Sequence, residues 1–181
     1  MFDSITKIFT LEPDYYKLPT PLFDDNLNIG KIGDTIGFFG PLILLPITIL
    51  KLLHRFPYLI GYLVGFFVNT TINRYIKSTV KEPRPDGGRS VFTWEHYTGA
   101  EKYGMPSLHA QSVIYSTAFL YFTTGSQSWL VLNLFIAALT LYQRWYYKRH
   151  TIQQLIIGSG LGVIIAWISW KMTFLYLRTQ V

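Results

Sequence analysis

The chain has 181 residues, of which half are hydrophobic and only 14% are charged, with a net charge of +6 and no cysteine. Soluble domains average about 25% charged residues, so this composition favours a protein embedded in a lipid bilayer. The missing cysteines exclude disulfides and thiolate metal sites. Because the basic residues lie beside apolar stretches, they favour lipid headgroups or a phosphorylated substrate as partners, and we expect no nucleic acid.

The first segment of the chain differs from the rest. Residues 1–30 combine charges and prolines with short apolar runs, and they lack the continuous apolar core of a signal peptide. We predict an interfacial or exposed arm over residues 1–30, followed by one membrane-embedded domain over residues 31–181.

Five apolar stretches in that domain are about long enough to cross a bilayer as helices. They are residues 36–53, 57–76, 107–124, 128–145 and 152–176. The sequence therefore predicts an all-α fold, namely a polytopic transmembrane bundle of about five helices.

The second predicted span carries a polar stripe. Asn69, Asn73 and Lys77 follow one another at four-residue intervals, which places them on one face of a helix. Because lipid offers amide groups no hydrogen-bond partners, this face should point into the protein.

Three glycines in the last predicted span, Gly158, Gly160 and Gly162, could be mistaken for a nucleotide-binding loop. They lie within an apolar stretch, however, and they contain the G-x-x-x-G spacing of membrane helices that pack closely. We predict that they are packing residues.

Three polar clusters interrupt the apolar stretches, at residues 77–85, 106–109 and 144–154. No predicted span separates the first cluster from the second, and two spans separate the second from the third. An even number of crossings returns the chain to the same membrane face, so the three clusters should be able to form one site.

The pooled clusters suit phosphate. Lys77 offers a point charge, and Arg84 and Arg144 offer planar guanidinium groups that match non-bridging phosphate oxygens. Pro106 and Ser107 open the third span, so the N–H groups at the start of that helix should point at the same anion.

Two histidines, His109 and His150, complete the predicted site. Imidazole titrates near 6.5 when unperturbed, so either is able to act as the nucleophile or as the proton donor. No carboxylate follows Glu101, so we expect none near the second and third clusters. Because the cations can neutralise phosphate, we also expect no metal or cofactor. Other possible ligands match no recognised metal-site spacing: Glu82, Asp86, Glu95 and His96.

In order, the clusters resemble the three signature motifs of the type 2 phosphatidic acid phosphatase superfamily. These are Lys77-(six residues)-Arg84-Pro85, Pro106-Ser107-Leu108-His109, and Arg144-(five residues)-His150-(three residues)-Gln154. The wording KEPRP at 81–85, KYGMPS at 102–107, and His150-Thr151 with Gln154 is similar to the dolichyldiphosphatase branch. The resemblance covers about residues 36–167.

The resemblance implies roles for individual residues. His150 would be the nucleophile that becomes transiently phosphorylated, and His109 would protonate the leaving group. The phosphate would be held by Lys77, Arg84, Ser107, the backbone of Leu108, and Arg144.

The resemblance also implies a substrate and a location. The branch acts on polyprenyl diphosphates in the endoplasmic reticulum membrane, with its site facing the lumen. The distribution of Lys and Arg along the chain instead favours a cytosolic face for the predicted site, although the site's own cations contribute to that bias.

Three residues depart from the superfamily pattern. Leu108 stands where glycine is usual, Gln143 replaces a common serine, and Gln154 replaces the aspartate that orients the nucleophilic histidine. A glutamine oxygen can accept the second N–H of the histidine, but it supplies no negative charge. Thr151-x-x-Gln154 is also a capping box for the last helix, and both roles can hold together.

The sequence leaves three functions open. The first is a metal-independent phosphatase that converts a polyprenyl diphosphate to the monophosphate through a phosphohistidine. The second is a phosphatidate or other lipid monophosphate phosphatase. The third is a lipid-phosphate-binding membrane protein with impaired catalysis. Gln154 and Leu108 favour this function, whereas the retained His109 and His150 argue against it.

Overall fold

The computed structural model describes residues 29–89 and 97–180, and most of these residues lie in helices. The helices are α1 (Ile29–Leu52), α2 (Phe56–Val80), α3 (Leu108–Thr124), α4 (Gln127–Tyr146) and α5 (Ile152–Arg178), with a short 3₁₀ helix at Gly99–Lys102. The predicted all-α bundle of five long helices is confirmed. Most of the predicted arm lies outside the described residues and stays a prediction, but α1 already begins at Ile29, seven residues before the predicted span.

Helix α3 is the centre of the bundle, because it packs against each of the other four long helices. Its core contacts are aromatic: the rings of Tyr62 and Tyr115 stack with centroids 5.5 Å apart, and Phe119 lies 5.4 Å from Tyr62. The hydroxyl of Tyr115 donates to the backbone oxygen of Tyr62 at 2.8 Å, so the buried phenol is satisfied within the bundle.

The outer surface of the bundle is apolar. Large side chains such as Leu42, Phe67, Val131, Ile156 and Met172 are exposed. An apolar surface of this extent fits a lipid environment better than water.

Among the residues that the structure describes, two stretches are long and apolar enough to cross a membrane, Ile32–Leu52 and Ile152–Arg178. Helices α2, α3 and α4 carry polar residues on their inward faces, among them Asn69, Gln111 and Asn133. These buried groups lower the mean hydropathy of the helices, while their outer faces remain apolar.

The predicted polar stripe of α2 is buried. Asn69, Asn73 and Lys77 are all fully inaccessible. Gln111 of α3 joins the two amides, because it donates to Asn69 Oδ1 at 3.0 Å and accepts from Asn73 Nδ2 at 2.7 Å. The prediction that this face points inward is confirmed.

Glycines set the contact between α5 and α3. A Cβ added to Gly158 would lie 2.6 Å from the backbone oxygen of Ser107, and one added to Gly162 would meet the backbone oxygen of Gln111. Nothing lies within 4 Å of a Cβ on Gly160. The packing role is therefore confirmed for Gly158 and Gly162, and it is wrong for Gly160, whose position on the helix points away from α3.

Candidate active site

The three polar clusters meet at one end of the bundle, where α2 ends, α3 begins, and α4 connects to α5. The Nη1 atom of Arg84 lies 3.1 Å from Nε2 of His150, which joins the first cluster to the third. The backbone N–H of Ser107 donates to the backbone oxygen of Gln154 at 3.1 Å, which joins the second cluster to the third.

His150 is buried in the connection between α4 and α5, with 3% of its surface exposed. Its Nδ1 atom lies 3.2 Å from Oε1 of Gln154, and its Nε2 atom faces Arg84. Burial lowers the pKa of His150 well below its ordinary value, and the charges of Arg84, Lys77 and Arg144 lower it further. The imidazole is therefore neutral near pH 7, as a nucleophile must be.

Gln154 makes the contacts that both predicted roles require. With Thr151 it forms the capping box of α5: the backbone N–H of Gln154 donates to Thr151 Oγ1, and Thr151 N–H donates to Gln154 Oε1, each at 3.2 Å. The same Oε1 atom faces the histidine ring. The start of α5 thus fixes the orientation of His150.

Lys77 and Arg84 are held by the loop that precedes α3. Lys77 Nζ pairs with Glu101 Oε2 at 2.6 Å. Arg84 donates through Nη2 to the backbone oxygen of Glu101 at 2.7 Å and through Nη1 to the backbone oxygen of Arg149 at 2.8 Å. Two of the three predicted phosphate-binding cations therefore lie beside the histidine in fixed positions.

Arg144 is fully buried at the end of α4. Its guanidinium lies over the ring of Phe38, 4.7 Å from the centroid, and its Nη1 atom donates to the hydroxyl of Tyr97 at 3.3 Å. The neighbouring Arg149 donates to the same hydroxyl at 3.0 Å. The shared contact with Tyr97 brings a further cation into the cluster.

The start of α3 supplies the remaining predicted groups. Ser107 is the N-cap of α3, and its hydroxyl accepts from the N–H of Ala110 at 3.4 Å. Leu108 begins the helix and is half-buried. Asn73 donates to the backbone oxygen of Pro106 at 3.3 Å, so the polar stripe of α2 contacts the turn at the start of α3.

His109 lies one residue into α3 and is half-buried. Its ring packs against Phe38 with centroids 5.8 Å apart, and it lies within electrostatic range of Arg144 and His150. The structure thus brings all eight predicted site residues to the same end of the bundle.

Two carboxylates also belong to this cluster, and the expectation that none lies near the second and third clusters is wrong. Glu82 Oε1 accepts from Nε2 of Gln154 at 2.7 Å, and Glu101 pairs with Lys77. Both residues precede the second cluster in the chain, but the described parts of the connection between α2 and α3 contact the site. Sequence reasoning also missed Tyr97 and Arg149, although Arg149 stands beside His150.

Within residues 29–89 and 97–180, no group of three or more His, Asp or Glu side chains is arranged to hold a metal ion. Glu95 and His96, which we considered as ligands, lie outside the described residues. The cluster is rich in cationic side chains, which favour an anion as its ligand.

An apolar groove of about 700 Å³ lies between α2 and α5, away from this cluster. Its walls include Ile60, Val64, Val68, Ile165 and Met172, and no predicted site residue lines it. The groove offers no titratable histidine or carboxylate, so the chemistry belongs to the polar end of the bundle.

Buried cations, two histidines and a helix N-terminus meet at one end of an all-α bundle, and such an arrangement can bind a phosphate group. Residues 58–178 match the PAP2 superfamily, and the chain belongs to that superfamily. The predicted resemblance to the type 2 phosphatidic acid phosphatases is thereby confirmed.

The chain is also similar to individual proteins over about half of its length. The chain is 37% identical to Dolichyldiphosphatase 1 of Rhinolophus ferrumequinum and 36% identical to that of Homo sapiens, each over 111 residues that cover 52% of this chain and 44% of the relative. It is 28% identical to Lipid phosphate phosphatase gamma of Arabidopsis thaliana over 102 residues, covering 50% of this chain and 42% of that protein. The chain thus matches less than half the length of these relatives. No solved structure matches it significantly.

Proposed function

We propose that this protein is an integral membrane hydrolase that removes the terminal phosphate of a polyprenyl diphosphate through a phosphohistidine on His150. The observation that carries the proposal is the setting of the His150 ring: Nδ1 lies 3.2 Å from Gln154 Oε1 and Nε2 lies 3.1 Å from Arg84 Nη1. The nucleophilic nitrogen therefore faces the cations that would hold the phosphate.

In the first step, Arg84, Lys77 and Arg144 hold the terminal phosphate, assisted by the N–H groups at the start of α3. The lone pair of His150 Nε2 forms a bond to phosphorus, and the bond from phosphorus to the bridging oxygen breaks. The leaving group is the lipid monophosphate, to which His109 donates a proton. The positive charge that appears on the His150 ring is stabilised by the hydrogen bond from Nδ1–H to Gln154.

In the second step, a water molecule attacks phosphorus, and His109 accepts its proton. The bond between phosphorus and Nε2 breaks, inorganic phosphate leaves, and His150 returns to the neutral form. His109 thus acts as an acid and then as a base. Phosphoryl transfer of this kind depends mainly on positioning and on charge, which buried cations can supply without a metal.

The choice of a polyprenyl diphosphate rests on the motif wording KEPRP and KYGMPS and on the dolichyldiphosphatases among the relatives. The same similarity supports an endoplasmic reticulum membrane location with the site facing the lumen. A phosphatidate or other lipid monophosphate is the second candidate substrate, which the plant lipid phosphate phosphatase supports.

The purified protein should be assayed for phosphate release from a polyprenyl diphosphate, the matching monophosphate and phosphatidate. We expect the diphosphate to be hydrolysed fastest, and an acid-labile phosphoenzyme to appear in quenched reactions. Faster release from phosphatidate would favour the second candidate. Binding without release from any substrate would indicate a lipid-phosphate-binding protein.

The same assay in excess chelator tests the absence of a metal. Because three arginine and lysine side chains neutralise the phosphate in this proposal, hydrolysis should persist at the same rate. A loss of activity that a divalent cation restores would instead identify a metallophosphatase.

A further inference from the structure

The carboxylate of Glu82 stands directly behind the pair formed by Gln154 and His150. Gln154 is fully buried, and its Nε2 atom donates to Glu82 Oε1 at 2.7 Å and to the backbone oxygen of Pro83 at 2.9 Å. On the opposite side of the amide, Oε1 faces Thr151 N–H and His150 Nδ1, each at 3.2 Å.

These neighbours fix the orientation of the amide. A carboxylate and a backbone carbonyl only accept hydrogen bonds, so the NH₂ group of Gln154 must face Glu82 and Pro83. The oxygen must then face Thr151 and His150. Because that oxygen accepts, Nδ1 of His150 must carry the hydrogen, and Nε2 keeps its lone pair.

The chain of groups also carries charge toward the ring. Hydrogen bonds in series polarise one another, so a carboxylate that accepts from the NH₂ group makes the oxygen of the same amide a stronger acceptor. When His150 becomes positively charged, the negative carboxylate of Glu82 stabilises it through the amide of Gln154.

The loop is built to hold this contact. The N–H of Gly104 donates to the backbone oxygen of Glu82 at 2.8 Å. A Cβ on Gly104 would lie 2.6 Å from Cδ of Gln154, so only glycine lets the loop close over the buried amide. Two backbone segments thus place Glu82 against Gln154.

We infer that Glu82 is a positioning residue that acts through Gln154, supplying the negative charge that fixes the His150 tautomer and stabilises the ring during attack. The inference rests on the proposed phosphohistidine mechanism. Gln154 cannot carry a charge itself, and in this inference Glu82 supplies the negative charge in its place.

The test is a comparison of Glu82→Gln with Asp86→Asn in the full chain. Glu82→Gln keeps the length of the side chain and an acceptor oxygen for Gln154, but it removes the charge. Asp86→Asn removes a charge from an exposed position in the same loop, without contact to Gln154. Single-turnover phosphoenzyme formation on a polyprenyl diphosphate is the readout, with KM measured separately.

We expect Glu82→Gln to lower the rate of phosphoenzyme formation by about tenfold or more, which is the size of effect seen when the outer partner of a metal-binding histidine is removed, with KM nearly unchanged. Asp86→Asn should keep the wild-type rate within about twofold, since it is exposed and its charge is screened. Equal rates for Glu82→Gln and wild type would overturn the inference.

An exchange of the two groups tests the order in which they act. Gln154→Asp alone places two carboxylates side by side, and we expect it to lose activity. Adding Glu82→Gln to Gln154→Asp puts the carboxylate next to His150 and an amide behind it, and it should restore phosphoenzyme formation. A double variant no faster than Gln154→Asp alone would overturn the inference, even if Glu82→Gln alone did not fold.

Failure of the mechanism itself gives a different result. If the wild-type protein releases phosphate without a phosphoenzyme, or releases none, the proposed function and this inference fall together. If the wild type forms the phosphoenzyme and either comparison fails as described above, only the role of Glu82 is lost.

Discussion

His109 and His150 have different surroundings, and the difference favours different tasks. His150 is held at Nδ1 by Gln154 and presents Nε2 to Arg84, which suits a nucleophile of fixed direction. His109 packs on the ring of Phe38 at the first turn of α3. It lies within electrostatic range of His150, and a histidine at such a position is a candidate for proton transfer to a leaving group.

We predict that His150→Ala and His109→Ala differ in how their loss of activity depends on the leaving group. His150→Ala should abolish both phosphoenzyme and turnover on every substrate, because the covalent step is lost. His109→Ala should slow hydrolysis of a lipid monophosphate by roughly 10²- to 10⁴-fold, the usual contribution of a general acid to a poor leaving group. The loss should be smaller for a diphosphate and smallest for an aryl phosphate, whose leaving groups need a proton less.

The measurement compares turnover of both variants on a polyprenyl diphosphate, its monophosphate and an aryl phosphate, with a quench for phosphohistidine. If sensitivity to the leaving group appears in the His150 variant and is missing in the His109 variant, the assignment is reversed. Equal insensitivity in both variants would refute a mechanism with two histidines.

The pKa of His150 predicts a pH dependence. Burial comes first, and the charges of Arg84, Lys77 and Arg144 add to it, so the pKa lies well below 6.5. The ring therefore remains neutral as the pH falls to 6.5 and becomes protonated only at lower pH. The rate of phosphoenzyme formation, measured under kcat/KM conditions, should decline only at a pH well below 6.5. An acidic limb at or above pH 6.5 that His150 controls would contradict this.

The predicted site residues and the missed ones differ in how they are encoded. Lys77, Arg144 and His150 stand at the ends of apolar stretches, so span counting alone brings them to one face. Glu82, Glu101 and Tyr97 belong to the described parts of the connection between α2 and α3, and they contact site residues there. Nothing in the periodicity of an irregular loop reveals such a path, and only contacts such as that of Gln154 with Glu82 define it.

At the scale of the helices, the packing of α5 on α3 sets the geometry of the site. Gly158 lets the backbone of α5 approach the oxygen of Ser107, and one turn earlier Gln154 accepts from the N–H of Ser107. The second and third clusters are therefore brought together by backbone contact. A looser helix pair would move Gln154, and with it His150, away from the turn at Ser107.

We predict opposite effects for two glycine substitutions in α5. Gly158→Ala should destabilise the protein by about 1–3 kcal/mol, because the added methyl group overlaps the backbone of Ser107. Gly160→Ala, which meets nothing within 4 Å, should be neutral or stabilise the helix by about 0.5–1 kcal/mol. Thermal unfolding of the purified variants gives both values, and equal shifts would contradict the packing role of Gly158.

The helices themselves were predictable because apolar runs of about twenty residues end at prolines, glycines and charges. Predicted and observed ends agree within a few residues for α3, α4 and α5. The start of α1 was not predictable, because Lys31 and Asp34 interrupt its apolar pattern. Asp34 accepts from the hydroxyl of Tyr147 at 2.6 Å, a tertiary contact that the local sequence does not reveal.

At the scale of the whole molecule, the site residues lie at one end of the bundle because an even number of long helices separates their clusters. α3 leaves the face where Ser107 lies and α4 returns to it, so the turn at Gly125 lies at the opposite end of the bundle. The site residues Arg84 and His150 can meet only in this topology. In a bilayer, both loops of the site must then face the same compartment.

The chain itself makes this topology easy to test, because it contains no cysteine and any introduced thiol is unique. Asp86→Cys, Lys148→Cys and Gln127→Cys all change exposed positions, the first two in the loops of the site and the third at the start of α4. In sealed vesicles, a membrane-impermeant maleimide should label the first two from the same side, and it should label the third only from the other side. If Asp86→Cys and Lys148→Cys were labelled from different sides, Arg84 and His150 could not share a site, and the phosphohistidine mechanism would fail with it.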